Sequence, residues 1–382
     1  MIYFDHAASS WPKPDAVIEK IASFLKENGA NPGRGNHVMA REAANEISKT
    51  RQLLAELFHI SNPNAISFYM NTTQALNQAI KGLLKKGDHV ITSQLEHNSV
   101  RRPLEYLKRT EEIEITYLES SIDGTTSLDI LKKSIKKNTK LIVISHASNV
   151  LGTLQPLYEI GKIAAEKNIF FLVDAAQTAG RYPIDVTEMN INLLAFPGHK
   201  ALLGPQGVGG LYIQPNILLD PLVHGGTGSH SEDIDQPLSS PNRYESGTLN
   251  TVGIIGLGAG VEYIKKIGID VLRKKEWELT NYLLSEMKKI DQITYFGPNE
   301  NIERVPLVTF LVDDIDSVEI AAILDQHYQI AVRTGFHCSP LAHQVIKTEH
   351  TGAIRVSLGH TNTIEEVNYL ITSLKEIIKH MG

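Results

Sequence analysis

An aspartate that ends one apolar run, Val173-Asp174, and a lysine that follows another, Phe196-Pro197-Gly198-His199-Lys200, are the residues of this chain best placed for chemistry. In open α/β sheets, ligands bind beyond the carboxyl ends of the strands, where both residues fall. A lysine held there beside a cationic neighbour can lose its proton readily and act as an amine nucleophile. A third feature, Met70-Asn71-Thr72-Thr73-Gln74, opens a helical run through Ala75, Ala79 and Leu83. Backbone N–H groups and threonine hydroxyls at a helix start suit a phosphate dianion. Each feature alone also fits an ordinary role, as a strand-end cap, a solvated lysine or a plain N-cap. Together, an acid, an amine and an anion cradle are the parts of a pyridoxal phosphate site: a Schiff-base lysine, a carboxylate on the pyridinium nitrogen and a seat for the phosphate.

Positioning these residues requires a sheet. Residues 89–92, 141–145, 169–173, 193–196 and 210–213 are largely apolar rather than alternating, as strands covered on both faces should be. Helical periods lie between them. Residues 39–58 place Met39, Ala43, Ile47, Leu54 and Phe58 near one face, and residues 157–167 are bounded by Pro156 and Asn168. This alternation predicts an α/β fold with a mostly parallel central sheet flanked by helices. From about Gly256 the pattern changes to a long helical stretch over 262–289, apolar runs at 308–312, 330–332 and 353–358, a helix over 317–327 and a final amphipathic helix over 363–380. That reads as a smaller α+β C-terminal domain. The expected division is a large domain over 16–255, with 1–15 and 256–382 forming the small one. Residues 224–248 are polar and rich in glycine and serine, and a loop of that length is uncommon unless functional.

Composition narrows the classes of function. The chain has 382 residues, 42% hydrophobic and 21% charged, which is ordinary globular usage and excludes disorder. Its net charge of −6 has the wrong sign for a dedicated nucleic-acid binder or a polybasic membrane anchor. Cys338 is the single cysteine, so no intrachain disulfide and no cysteine-cluster metal site are expected. The first residues lack a basic stretch followed by an apolar one, and residues 252–261, the most apolar later stretch, fall short of the roughly 20 needed to span a bilayer. The expectation is a cytoplasmic protein.

Further motifs carry a resemblance over nearly the whole chain. They are Tyr3-Phe4-Asp5-His6-Ala7-Ala8, Glu96-His97-Asn98, Ser148-Asn149-Val150-Leu151-Gly152, Val173-Asp174-Ala175-Ala176-Gln177, Gly198-His199-Lys200, Arg243-Tyr244-Glu245-Ser246-Gly247-Thr248, Arg333-Thr334-Gly335-Phe336-His337-Cys338 and Arg355-Val356-Ser357. In this order the chain resembles the fold type I, pyridoxal phosphate-dependent class V aminotransferase family, in particular its group II cysteine desulfurase and selenocysteine lyase branch. The resemblance implies that Lys200 carries the cofactor and moves protons at the substrate Cα. It implies that Asp174 holds the ring nitrogen protonated, that Gln177 bonds the phenolic oxygen and that His97 stacks on the ring and takes part in proton transfer. Thr72, Thr73 and His199 would hold the phosphate, and Asn149 would orient cofactor or substrate. Thr248 matches a residue that reaches the phosphate of a partner subunit, which implies a homodimer. Arg355 matches the arginine that receives the substrate carboxylate through a bidentate fork, and Arg34 matches a segment near the active site. Arg355 also lies inside the apolar run 353–358, where an unpaired guanidinium would be costly, and this too suggests a ligand partner.

Cys338 separates the chemistries. A lone cysteine is usually a small buried hydrophobe, but this one sits among His337, His343 and Arg333, surroundings that favour a nucleophilic sulfur. The resemblance implies that it attacks the sulfur of L-cysteine and becomes a persulfide, which a sulfur-acceptor or scaffold protein then collects. Its compact loop should travel little, so the acceptor should dock close by. The alternatives are release of selenide from L-selenocysteine, a true class V aminotransferase, and a non-catalytic sulfur-relay scaffold on the same fold. Two departures from the family pattern stand out. Pro197 replaces a hydroxyl residue that helps to hold the phosphate, and Phe336 replaces a histidine, which predicts a more apolar pocket.

Overall fold

The computed structural model describes residues 1–32, 35, 37–229 and 232–381. In chain order its first part comprises β1 (Ile2–Tyr3), α1 (Asp15–Glu27), α2 (Val38–Leu57), β2 (Ile66–Tyr69), α3 (Thr72–Leu83), β3 (His89–Ser93), α4 (Asn98–Thr110), β4 (Glu114–Leu118), α5 (Leu128–Ser134), β5 (Thr139–Ser145), α6 (Leu157–Glu166), β6 (Phe170–Asp174), β7 (Leu193–Pro197), β8 (Gly209–Ile213) and α7 (Thr251–Ile267). There follow α8 (Ile269–Met287), β9 (Ile293–Phe296), β10 (Leu307–Val312), α9 (Ser317–Tyr328), β11 (Ile330–Ala331), β12 (Arg333–Gly335), α10 (Pro340–Val345), β13 (Ala353–Ser357) and α11 (Ile364–Met381).

Seven strands form the central sheet in the order β2-β8-β7-β6-β5-β3-β4. Its pairings are parallel except where β8 runs antiparallel to β2 and β7. The apolar runs have the expected cause. Along β5, Leu141 and Val143 enter the core formed with α3 and α4, whereas Ile142 and Ile144 enter the core formed with α2, α6 and α7. Alternate side chains point to opposite faces, and a helix layer covers each. Because β5, β6 and β7 are parallel or adjacent in register, Ser145, Asp174 and Pro197 all emerge at one edge.

The second unit is an antiparallel sheet, β12-β13-β10-β9, packed with α8, α9 and α11 through Leu283, Phe310, Ile354, Val356 and Leu370. The N-terminal segment joins it, since β1 lies parallel to β11 and Asp5 bridges to Ser357. This connection brings Asp5, Ala7 and Ala8 to the cleft between the two sheets.

The sequence pattern and the structure differ in four respects. The continuous helix over 262–289 is two helices, because Gly268 takes φ 97° and redirects the chain. The expected boundary at 255/256 falls within the span of α7, whose Ile254, Leu257, Val261 and Ile264 all belong to the large-sheet core. Met39 is 44% exposed rather than part of the buried face of α2. The apolar pattern does not reveal strands β1, β2, β4, β9 and β12, since β4 is a half-polar edge and the others have four residues or fewer.

A buried cation ties the two units together. Arg304 is fully buried, with Nη1 donating to the carbonyl of Pro298 at 2.9 Å and Nη2 to that of Phe296 at 2.8 Å and also to that of Leu151. Leu151 belongs to the turn 148–152 of the large unit, where Gly152 at φ 75° lets the guanidinium pass; a Cβ there would lie 2.9 Å from Nε. Replacing Arg304 by alanine strands three carbonyls. We expect Arg304→Ala to lose about 3 kcal/mol of stability, seen as an earlier first transition in urea. A loss below about 0.5 kcal/mol, the size of an ordinary surface change, would contradict this role.

Candidate active site

The sheet edges meet at a cavity of about 230 Å³. Of the residues singled out from sequence, Lys200, Asp174, Gln177, His97, Thr72, Thr73, His199, Asn149, Arg355 and Cys338 all line it, as does Pro197. Thr248 does not; it is exposed at the end of the polar loop. Arg34 lies outside the described residues.

Lys200 follows β7 in a turn that only glycine permits. A Cβ on Gly198 would lie 2.7 Å from Cγ1 of Val208 and 3.0 Å from its carbonyl oxygen. The Lys200 carbonyl accepts from Ser10 Oγ at 2.9 Å and from the Leu203 N–H at 2.9 Å, so the backbone is pinned while the side chain enters the cavity. Burial lowers the amine pKa to about 8, Asp174 works against that shift, and Arg355 and Arg333 add to it. Asp174 is in turn raised to about 6 by burial, offset by the Ala176 N–H on its Oδ1 at 2.9 Å and by Lys200. A second amine, Lys13, is also lowered to about 8 by burial, but it donates to Ser10 Oγ at 2.7 Å and to the His199 carbonyl at 2.8 Å.

His97 caps α4. Its Nδ1 accepts the Ser99 N–H at 3.0 Å, so the ring proton sits on Nε2. Burial, with the charges of Lys200 and Arg333, pulls its pKa down to about 4, which leaves the imidazole neutral. Ser99 Oγ lies 2.8 Å from that Nδ1 and 2.7 Å from Thr73 Oγ1, joining the ring to the start of α3. Beneath it Glu96 is buried between Ser93 and Ser145, with its carboxyl raised to about 7 by desolvation.

At the start of α3, the first N–H groups have no carbonyl within the helix to meet. Thr72 Oγ1, His199 Nδ1 and Gln177 Oε1 are buried without any hydrogen-bond partner in the protein. Buried polar atoms of this kind are rare unless something binds them. Burial also lowers His199 to about 4, so it too is neutral.

The opposite wall comes from the small unit. Arg333 and Arg355 face each other in register on β12 and β13, a like-charge pair that is unfavourable alone. The structure corrects the expectation that Arg355 needs a ligand to avoid isolation. Its Nη2 pairs with Asp5 Oδ1 at 2.9 Å and its Nη1 donates to the Asn149 carbonyl at 3.1 Å, leaving only Nε unpartnered. Asp5 is a site residue that sequence reasoning misses, and Arg333, expected only as a neighbour of Cys338, also stands opposite Arg355. Asp5 had no signal beyond its motif, and β12 is too short for its register to be read.

Cys338 is exposed at the mouth. It and His337 both take left-handed conformations, φ 60° and 46°, which for such residues costs on the order of 1 kcal/mol each. The large unit holds them there. Asn149 Nδ2 donates to the His337 carbonyl at 2.6 Å, Ser339 Oγ donates to Asn149 Oδ1 at 2.7 Å, and the Asn98 N–H donates to the Cys338 carbonyl at 2.8 Å. Thus the Asn149 amide, expected to orient cofactor or substrate, is engaged by the cysteine loop at both ends. Arg333 Nη2 lies 3.7 Å from Cys338 Sγ. Phe336 is 45% exposed and packs edge-on against His343, 5.6 Å between ring centres, so it does not make the pocket more apolar.

The polar loop is fixed by Glu245, a residue of the motif 243–248. Glu245 pairs with buried Arg51 at 2.6 Å and accepts the Phe68 N–H at 2.7 Å. This anchor presents Thr248 outward.

The pKa of Lys200 sets a test. In protein free of any carbonyl ligand, the amine is neutral and nucleophilic above about pH 8 and protonated below. Reductive methylation of the Lys200 peptide, followed by mass spectrometry, is expected to rise with a midpoint near pH 8. A midpoint above about 10, the ordinary lysine range, would contradict the burial argument.

Comparison with known proteins gives a consistent relationship. The family described as Aminotransferase class-V matches residues 2–370. A probable cysteine desulfurase of Pyrococcus abyssi is 34% identical over 100% of this chain and 95% of its own length. The cysteine desulfurase IscS of Dictyoglomus turgidum is 35% identical over 100% and 95%. Among solved structures, the apo cysteine desulfurase of Thermococcus onnurineus superposes with a TM-score of 0.93 at 32% identity, covering 99% of this chain and 95% of that one.

Proposed function

This chain belongs to the class V aminotransferase family, and from that premise we propose that it is a pyridoxal 5'-phosphate-dependent cysteine desulfurase, which converts L-cysteine to L-alanine and captures the sulfur as a persulfide on Cys338. One observation carries the reading: the sole cysteine stands exposed at the mouth of the cavity that Lys200 and Asp174 line, with an arginine 3.7 Å from its sulfur.

The residues fit the cofactor. The partnerless Thr72 hydroxyl and His199 nitrogen, with the first N–H groups of α3, suit its phosphate. Asp174 suits its ring nitrogen and Gln177 its phenolic oxygen. The neutral face of His97 suits its ring, and Lys200 is the amine that would hold it. When bound, the cofactor supplies an electron sink that acidifies the substrate Cα–H.

The chain's own residues do the rest. Arg355, already oriented by Asp5 and Asn149, and Arg333 opposite it give the substrate carboxylate a cationic wall. Binding an anion there relieves the repulsion between the two guanidinium groups. Lys200, its pKa lowered by burial to about 8, is suited to take the Cα proton and return it. Cys338 then attacks the γ-sulfur as a thiolate. A sulfur–sulfur bond forms, the Cβ–S bond breaks, and its electron pair is protonated on the carbon that becomes the methyl group of alanine.

L-cysteine is favoured over L-selenocysteine because this site holds a nucleophilic sulfur in a strained loop beside an arginine, and selenide is a better leaving group that depends less on such help. Outward-facing Thr248 on its anchored loop supports a homodimer in which it reaches the partner's phosphate seat. A thiol that must remain reduced supports a cytoplasmic location; among the described residues, no helix is long and apolar enough to cross a membrane.

Cys338→Ala is expected to lower alanine formation from L-cysteine by at least about 100-fold while the visible absorbance of the cofactor persists. Unchanged turnover would remove Cys338 from the reaction.

A further inference from the structure

A sulfur carried at Cys338 must leave, and the surface beside it has a chemical character of its own. Asn98, whose N–H holds the Cys338 carbonyl, begins α4. Asn98, Arg102, Glu105 and Arg109 follow at steps of four, three and four residues and so share one face. That face and Pro340, just after the cysteine, line an open groove running about 16 Å along the helix. Glu105, the groove's carboxylate, accepts from the Tyr117 hydroxyl at 2.8 Å. Among the described residues, Arg102 and Arg109 have no carboxylate within 4.0 Å, and both are exposed. Phe336, two residues before Cys338 in the chain, is exposed as well. Arginine and exposed aromatic side chains are enriched at interface centres.

This stripe is cationic on a chain whose net charge is −6. An acidic partner is repelled by the molecule as a whole and attracted here, so the field would both orient it and deliver it to the sulfur. Resting on the reading of Cys338 as the sulfur carrier, we propose that the Arg102/Arg109 face of α4 is the docking surface for an acidic protein segment that presents the accepting thiol. In the transfer, the acceptor thiolate attacks the outer sulfur of the persulfide. A new sulfur–sulfur bond forms on the acceptor, the bond to Cys338 Sγ breaks, and Cys338 leaves as a thiolate ready for another cycle.

The test uses the holoenzyme, the charge-reversed R102E/R109E variant and two sets of synthetic peptides. Binding of a fluorescein-labelled, cysteine-free peptide of alternating glutamate and glycine is followed by anisotropy. Wild type should bind it at least about tenfold more tightly than R102E/R109E, and the difference should shrink as salt rises from about 0.02 to about 0.15 M. Equal binding by the two proteins would overturn the proposal, whether or not the enzyme makes persulfide. In the second arm, wild type acting on L-cysteine should pass sulfur about tenfold faster to a peptide whose cysteine is flanked by glutamates than to one flanked by serines. R102E/R109E should lose that preference and yet form alanine at the wild-type rate with dithiothreitol as acceptor. Retained preference in the variant would place the docking surface elsewhere. Failure of wild type to form alanine even with dithiothreitol would instead defeat the desulfurase reading, and the binding arm would still decide the surface.

Discussion

An amine and a carboxyl group buried together at the ends of adjacent strands constrain the rest of this molecule. Lys200 and Asp174 each pay for desolvation, and each is driven toward its neutral form, to about 8 and about 6. Neither shift would exist at an exposed edge. The parallel strands that bring them together need helices on both faces, and the small unit is needed to close the cavity above. The N-terminal segment crosses between the units and contributes Asp5, which neutralises part of the charge that Arg333 and Arg355 bring to the opposite wall.

The cysteine loop belongs to the small unit by sequence and is held by the large one. Asn149 and Asn98 clamp it on either side of two left-handed residues. Those residues would relax if the clamp were lost, so the closeness of Cys338 to the cavity depends on the relative placement of the two units. Arg304 fixes that placement from beneath, through the turn that carries Asn149. Fold stability and sulfur position are thereby coupled through one five-residue turn.

Much of this was legible in the sequence because strand-end chemistry leaves a local record. Val173-Asp174 and Gly198-His199-Lys200 each carry their own strand and turn signals, and the doubly covered strands announce themselves by unbroken apolar runs. The rest depends on contacts between distant segments. Arg355 looked isolated because its carboxylate, Asp5, lies at the other end of the chain. Asn149 looked free because nothing local shows that the cysteine loop arrives to take both ends of its amide. Phe336 looked like pocket lining because alternation along a tight loop does not fix which way a side chain points. Glycine 268 was readable as a break, but the apolar residues on either side of it kept a helical period and masked it.

The most direct test of the account concerns the bond its chemistry requires. The protein prepared with pyridoxal 5'-phosphate is reduced with borohydride, digested and mapped by mass spectrometry. The account predicts one pyridoxyl adduct, on the peptide holding Lys200, and none in Lys200→Ala. An adduct on Lys13, the half-buried amine of lowered pKa beside His199, or no adduct at all, would contradict it.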